Sequence, residues 1–527
     1  MKKKTFLKIS IAVIVALALL LAMNAQVFAS ITEDTNTGSV TLSGLEDGVT
    51  AYIYKLIDVN YNYTADQPED PAYVWVNEVA DWVASYDEGI YIDTTNNSVT
   101  SEFNAELESS GTATTFYSSM AAAIKGGTEI SLIATDSQVA ADGSVTFEDL
   151  EMGVYLIIVE NGYKVYTPSV ASLTPTYSEN DEGEGEWSLS DLSLDAKSTE
   201  ISITKTVTNT TYISDSYSVL DTITFTVVTD VPNYEEDSTT TYTITDTLGA
   251  GLTLDTTSIK VYGVNGTSET LLTSGTDYTI STTTGGSKDA YTIDFSDYYT
   301  KIEGYSQIKV TYTATLNQDE TLVIGSTGNG NTAELTYTNN PYGTETQTIS
   351  EGAKVYTYGI ELTLVDSSAT DTGLEGAEFE LEDSEGNTLG FIVVDGIYYL
   401  SDDEDAETYT TTLITDDNGK VTIYGLDEGT YTLVQTQSTG DYAIPSNKET
   451  TIVIEDTGSD GNLTGIITHD EEDGTEDGIY ALTITNTAGF SLPTTGGIGT
   501  TIFVTVGILL VGCGVALIVA SKKRNNK

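Results

Sequence analysis

Residues 240–248 read TTYTITDTL, and their alternation sets the fold class. Successive side chains on a strand point to opposite faces, so Tyr242, Ile244 and Asp246 share one side and threonines take the other. The same period recurs in SQIKVTYTATL (306–316) and DGIYALTITNT (477–487). Gly, Asn and Asp punctuate these runs as turns, and the many Thr residues and 34 Tyr suit pleated, half-buried positions. Helical periodicity is sparse, and YVWVNEVADWVA (73–84) is its best candidate. Short, evenly spaced strands predict an all-β chain of tandem sandwiches.

Two further runs put polar groups on apolar faces. In ISITKTV (201–207), Ile201, Ile203, Lys205 and Val207 lie on one side. A lysine there is costly unless paired or neutral, and burial lowers its pKa toward a free, nucleophilic amine. Asp246 on its own apolar face is kept protonated by burial and can polarise an amide carbonyl. In NTAELTYTNN (331–340), Asn331 and Asn339 share a face, so parity leaves both as inward amides. The alternative for Lys205 is a plain buried ion pair with Asp246.

An internal echo divides the chain. DGSVTFEDLEMGVYLI (142–157) matches NGKVTIYGLDEGTYTL (418–433) at its Gly, Val, Leu and Tyr positions, and GSVTLSGLEDG (38–48) carries the first part again. A tight turn, a strand, a Gly-permitted bend and a second strand explain the pattern. Domains are expected at 30–196, 197–356 and 357–490. The acidic runs at 179–186 and 469–477 read as solvated loops.

The ends differ from the body. Lys2, Lys3, Lys4 and Lys8 flank an apolar run, followed by small residues at 27 and 29, which reads as a signal peptide over 1–29 cleaved after Ala29. Residues 500–520 are apolar and long enough to span a bilayer, with Lys522, Lys523 and Arg524 behind them. The formal net charge of −60 repels nucleic acid and anionic lipid. The one cysteine, Cys513, lies in the span, so no disulfide or thiol chemistry is expected outside it. The one histidine, His469, sits in an acidic run, and neither a Ser-His-Asp set nor a zinc site has its parts. No cofactor, metal site or enzymatic activity is expected.

Leu492-Pro493-Thr494-Thr495-Gly496, followed by the span and the basic tail, resembles the LPXTG sorting signal of Gram-positive surface proteins. That resemblance makes 491–527 a cell-wall sorting signal, cut by a sortase between Thr495 and Gly496. The order of elements resembles the SpaA-like major (backbone) pilins, with an isopeptide-forming second domain and a Cna B-type third domain. The matching stretches are ISITKTV, YTITDTLGAGLT and GNGNTAELTYTNNP in the second, and LEGAEFELEDSEGN and EGTYTLVQTQSTGDY in the third.

The resemblance implies roles. Trp187, Leu192, Leu194 and Lys197 take places in the pilin motif, with Asp195-Ala196 where the family has Tyr-Pro. Lys197 is then the amine that attacks the Thr495 carbonyl of another subunit. Lys205 is expected to bond to Asn331, which lies in the segment similar to the family's bonding element, with Asn339 as the alternative and Asp246 as the acid. In the third domain Leu364 and Gln435 replace the family's lysine and acid, leaving Asn486 alone, so no bond is expected there. The implied protein is a wall-anchored pilus shaft subunit supporting adhesion, whose partners are sortases, identical subunits, tip and base pilins, peptidoglycan and a host ligand. The alternative is a monomeric wall-anchored adhesin for host protein or glycan.

Overall fold

The computed structural model describes residues 31–33, 35–103, 110–179, 185–234, 240–469, 472–475 and 477–489, with isolated positions 506, 511 and 515. The expected signal peptide, the LPXTG residues Leu492–Gly496 and most of the apolar span fall outside these residues. No helix among the described residues is long and apolar enough to cross a membrane.

The chain is built from β-sandwiches in tandem. The strand Tyr242–Leu248 alternates buried and half-buried residues without a break, as its threonine-spaced pattern requires. Its neighbours in the sheet are Asn329–Thr338 and Ala290–Asp294, both antiparallel. The facing sheet runs Ile203–Val207, Ile223–Asp230, Gln307–Leu316, Leu252–Asn265 and Ser268–Leu271. Phe225, Val227, Ile244, Ile293, Val310 and Leu335 fill the space between them.

The first unit has a small sheet of Thr37–Ser43 between Ser144–Glu151 and Leu192–Asp195, the last running parallel. Its larger sheet centres on Thr50–Asn62 and Gly153–Glu160. Helices Asn77–Ser85 and Ser110–Gly126 pack on that sheet through Val79, Val83, Phe116 and Met120. The helix expected over 73–84 therefore starts later. Tyr73, Val74 and Trp75 end the strand Gln67–Trp75, where β-branched and aromatic side chains join the sheet. The helix Ser110–Gly126 was not expected, and its Ser, Thr and Gly content hides an apolar stripe at Phe116, Met120 and Ile124. The acidic runs expected as loops lie within two short hairpins, Thr176–Glu179 with Gly185–Ser188 and Ile467–His469 with Glu472–Thr475, so part of each run is strand.

In the third unit Tyr358–Asp366 lies parallel to Ile479–Ala488 and antiparallel to Lys420–Leu426. A four-stranded sheet, with Glu378–Glu382 and Gly429–Gln437 at its centre, closes the core over Leu362, Leu364, Phe379 and Leu433.

The units are joined by more than the chain. Tyr342 packs in the helix-side core of the first unit. Asn340 Nδ2 donates to Glu160 (3.3 Å), which also holds Lys125 in an ion pair. Burial pulls the Lys125 amine down, but the hydrogen bond and charge of Glu160 outweigh it and hold its pKa above the usual value. At the other end Ser214 Oγ accepts from Leu463 N (2.7 Å), and Val219 N donates to Gly425 O (3.0 Å). One residue, Thr357, separates Thr346–Tyr356 of the second unit from Tyr358–Asp366 of the third.

Candidate functional site: a buried lysine, acid and amide

Lys205 stands on the edge strand of one sheet, opposite Val227. Asp246 and Asn331 stand on neighbouring strands of the facing sheet, where Asn331 pairs with Leu248, two positions beyond Asp246. That offset keeps the two on one face. The three side chains therefore meet between the sheets, with residue exposures of 2%, 0% and 1%.

Lys205 Nζ lies 2.5 Å from Asp246 Oδ2 and donates to Tyr312 Oη at 2.9 Å. Tyr312 donates to the same Asp246 oxygen (2.9 Å), as does Tyr291 (3.1 Å). Asn331 Nδ2 donates to Tyr312 Oη at 2.6 Å. Asp246 Oδ1 and Asn331 Oδ1 are buried with no hydrogen-bond partner. Phe225 stacks on Tyr312, and Tyr291 meets it edge-on, so the polar atoms sit in an aromatic box. Burial lowers the Lys205 pKa despite the opposing pull of Asp246. Burial also lifts both tyrosine hydroxyls well above the ordinary phenol value.

Such a cluster can do more than pair charges. The amine, the carboxyl and the amide sit in a dry site fixed by strand register, which is the proximity that turns a slow aminolysis into an intramolecular step. Asn339 is elsewhere. It lies eight residues further along, about 26 Å at strand spacing, and donates to Gly162 O of the first unit at 2.8 Å. The two tyrosines had no part in the sequence reading. Tyr312 carried one signal, an inward parity in QIKVTYTATL, which it shares with ordinary core residues.

Leu364, Gln435 and Asn486 occupy the corresponding region of the third unit, all buried. Leu364 is packed in the apolar core. Asn486 Nδ2 donates to Ser438 Oγ (3.0 Å), three residues from Gln435, and Gln435 Nε2 reaches Gln437 O at 3.4 Å. Gln435 Oε1 and Asn486 Oδ1 have no partner. Among the described residues, the position the family resemblance gives to a lysine holds the apolar Leu364. Leu364→Lys combined with Gln435→Glu should restore the missing groups and close a bond to Asn486. The doubly substituted chain should lose one ammonia more than the native chain by intact mass, whereas an unchanged loss would mean the three positions do not converge.

Around Lys197, the strand Leu192–Asp195 turns Leu192 and Leu194 onto the small-sheet core, and Trp187 packs on Tyr177. Ala196 N donates to Ser43 O (2.8 Å), Lys197 O accepts from Thr167 N (2.9 Å), and Ser198–Thr199 pairs with Val165–Tyr166. The backbone at Lys197 is thus pinned on both sides. Its side chain is half-buried, and burial lowers the amine pKa. No group of His, Cys, Asp or Glu among the described residues is placed to hold a metal ion.

Three family models match the chain. Residues 219–341 match the Gram-positive pilin backbone subunit 2, Cna-B-like domain. Residues 359–466 match the SpaA prealbumin-like fold domain, and 484–527 match the LPXTG cell wall anchor motif. Each model covers part of the chain, and together they place a Gram-positive pilin backbone domain, a SpaA-type domain and a wall-anchor motif in one order along it. No curated protein matches it in sequence. Among solved structures, the T6 backbone pilin of serotype M6 Streptococcus pyogenes is 17% identical with a TM-score of 0.58, covering 87% of this chain and 100% of its own. The full-length major pilin SpaD of Corynebacterium diphtheriae is 18% identical with a TM-score of 0.50, again over 87% and 100%. At these identities the likeness is one of fold. With a matched pilin backbone domain and a wall-anchor motif, this chain is an exported, wall-anchored structural protein of the cell surface, with sortase and pilin subunits as its partner classes.

Proposed function

We propose that this pilin is the shaft subunit of a covalent fibre, joined from Thr495 of one copy to Lys197 of the next by a sortase and finally transferred to peptidoglycan. The observation that carries this reading is the setting of Lys197. Its backbone is pinned between two strand pairings while burial favours its neutral amine. A nucleophile for an acyl-enzyme needs a fixed position and an amine that gives up its proton more readily than usual. Asp195-Ala196 in place of Tyr-Pro is accommodated, because Ala196 N is held by Ser43 O.

A second covalent bond belongs to the same reading. Lys205 Nζ attacks Asn331 Cγ, Asp246 takes the proton shed by the lysine and returns it toward the departing nitrogen, the Cγ–Nδ2 bond breaks, and the nitrogen leaves as ammonia. Asn331 is the partner in this reading, since Asn339 is engaged at the first unit. The first unit, tethered near Lys197, is the surface offered to a host ligand, and tip and base pilins complete the fibre.

The test is the ladder of SDS-resistant multimers in cell-wall extracts. Lys197→Ala should abolish it and leave wall-attached monomer, while Lys164→Ala should leave it intact. A ladder that survives Lys197→Ala would mean another lysine is used. No ladder from the native chain would favour a monomeric wall-anchored adhesin.

A further inference from the structure

We infer that the Tyr312 hydroxyl is a catalytic residue for closure of the Lys205–Asn331 bond, carrying a proton from Asp246 to the departing amide nitrogen. The inference rests on the bond proposed above. It comes from a gap in the hydrogen bonding. Ammonia cannot leave Asn331 unless Nδ2 gains a proton, and the acid that must provide it is Asp246. Yet Asn331 Nδ2 bonds to Tyr312 Oη at 2.6 Å and not to the carboxylate. Asp246 Oδ2 meets Lys205, Tyr291 and Tyr312, and its other oxygen meets no donor or acceptor. Tyr312 Oη is the atom that touches the amine, the acid and the leaving nitrogen together.

The step balances through that oxygen. Lys205 first yields one proton to Asp246 and attacks as the neutral amine, forming the Nζ–Cγ bond. Asp246 then returns its proton to Tyr312 Oη as Tyr312 gives its own to Nδ2. Cγ–Nδ2 breaks and ammonia leaves. The proton remaining on the new Nζ–Cγ linkage beyond the amide N–H passes to Asp246, which began as the carboxylate and ends as the carboxylic acid. Tyr312 begins and ends as a neutral phenol. Its pKa, held high by burial, keeps it so throughout. Phe225 stacked on its ring and Tyr291 across its edge fix the oxygen in place. Tyr291 supplies the internal comparison, because it bonds to the same Asp246 oxygen and is equally buried, but is not bonded to Asn331.

Newly synthesised full-length chain, sampled over time and digested, reports closure as the cross-linked Lys205–Asn331 peptide. Tyr312→Phe should slow its appearance at least about a hundredfold, the low side of what general acid–base help supplies. Tyr291→Phe should close at the native rate. Equal rates for Tyr312→Phe and native chain overturn the inference, and so does an equal slowing in Tyr291→Phe, which would make the effect one of packing. If Tyr312→Phe does not fold, native closure in heavy water decides. A relay of protons in flight predicts slower closure there, and an unchanged rate overturns it. A native chain that never forms the peptide removes the bond itself, a result distinct from any of these.

Discussion

The folded chain from Ser30 to Thr495 should weigh one ammonia less than its sequence, and Lys205→Ala or Asp246→Ala should each restore the full mass. Lys205→Ala removes the nucleophile. Asp246→Ala removes the proton acceptor and leaves a lysine, 2% exposed, with no carboxylate beside it. Each variant also breaks a pair whose side chains are wholly buried. Removing one partner of such a pair costs about 3–5 kcal/mol through the charge left behind, before any covalent contribution is counted. Both variants should therefore unfold at lower temperature and migrate more slowly in SDS, where the native cross-link keeps the chain short. Mass spectrometry of the digested chain locates the bond. Full sequence mass for the native chain would reduce Lys205 and Asp246 to an ion pair. A linked peptide containing Asn339 would contradict the separation seen along the strand.

What could be read in advance followed from local rules. The threonine-spaced pattern of Tyr242–Leu248 fixed both strand and face, and the same parity turned Lys205 inward. Parity is blind to distance, however. Asn331 and Asn339 share a face, and the choice between them needs the register that sets Asn331 beside Leu248 and Asn339 against Gly162. Tyr312 escaped for a related reason. Its strand pairs with Ile223–Asp230, more than seventy residues earlier, and no local pattern says which inward tyrosine meets which lysine. The helix Ser110–Gly126 hid because Thr and Ser are indifferent helix formers, while its buried stripe is held by tertiary packing against the first-unit sheet. Docking between the units was equally illegible, since it uses the turn residue Tyr342 and Ser214 of the short strand Ser214–Ser216, whose partners lie far off in sequence.

Pulled between positions 197 and 495, a single chain should show one large unfolding event, releasing on the order of 400 Å as the roughly 130 residues of the third unit extend at ~3.3 Å each. The first unit is docked on the second by Asn339, Asn340 and Tyr342, but it lies off the covalent route from Lys197 onward. In the second unit the proposed Lys205–Asn331 bond would pass the load from Ile203–Val207 to Asn329–Thr338, so the strands between them stay folded and only Thr346–Tyr356 lies beyond the bridge. The third unit has the apolar Leu364 in its core where the proposed bond would need an amine, and packing, hydrogen bonds and a Lys420–Glu361 ion pair hold its described strands. Load enters it at Tyr358 and leaves beyond Ala488, on two strands that run parallel side by side from Gly359 opposite Ile479 to Asp366 opposite Asn486. Pulling the start of one and the end of the other shears the whole ladder at once instead of opening it pair by pair. The event should therefore need high force and then run to completion. A Leu364→Lys, Gln435→Glu chain that closes a bond to Asn486 would tie those same two strands together, and the event should vanish. A second large event in the native chain would place an unbonded domain where the Lys205 centre lies, and no event would mean that the third unit is cross-linked after all.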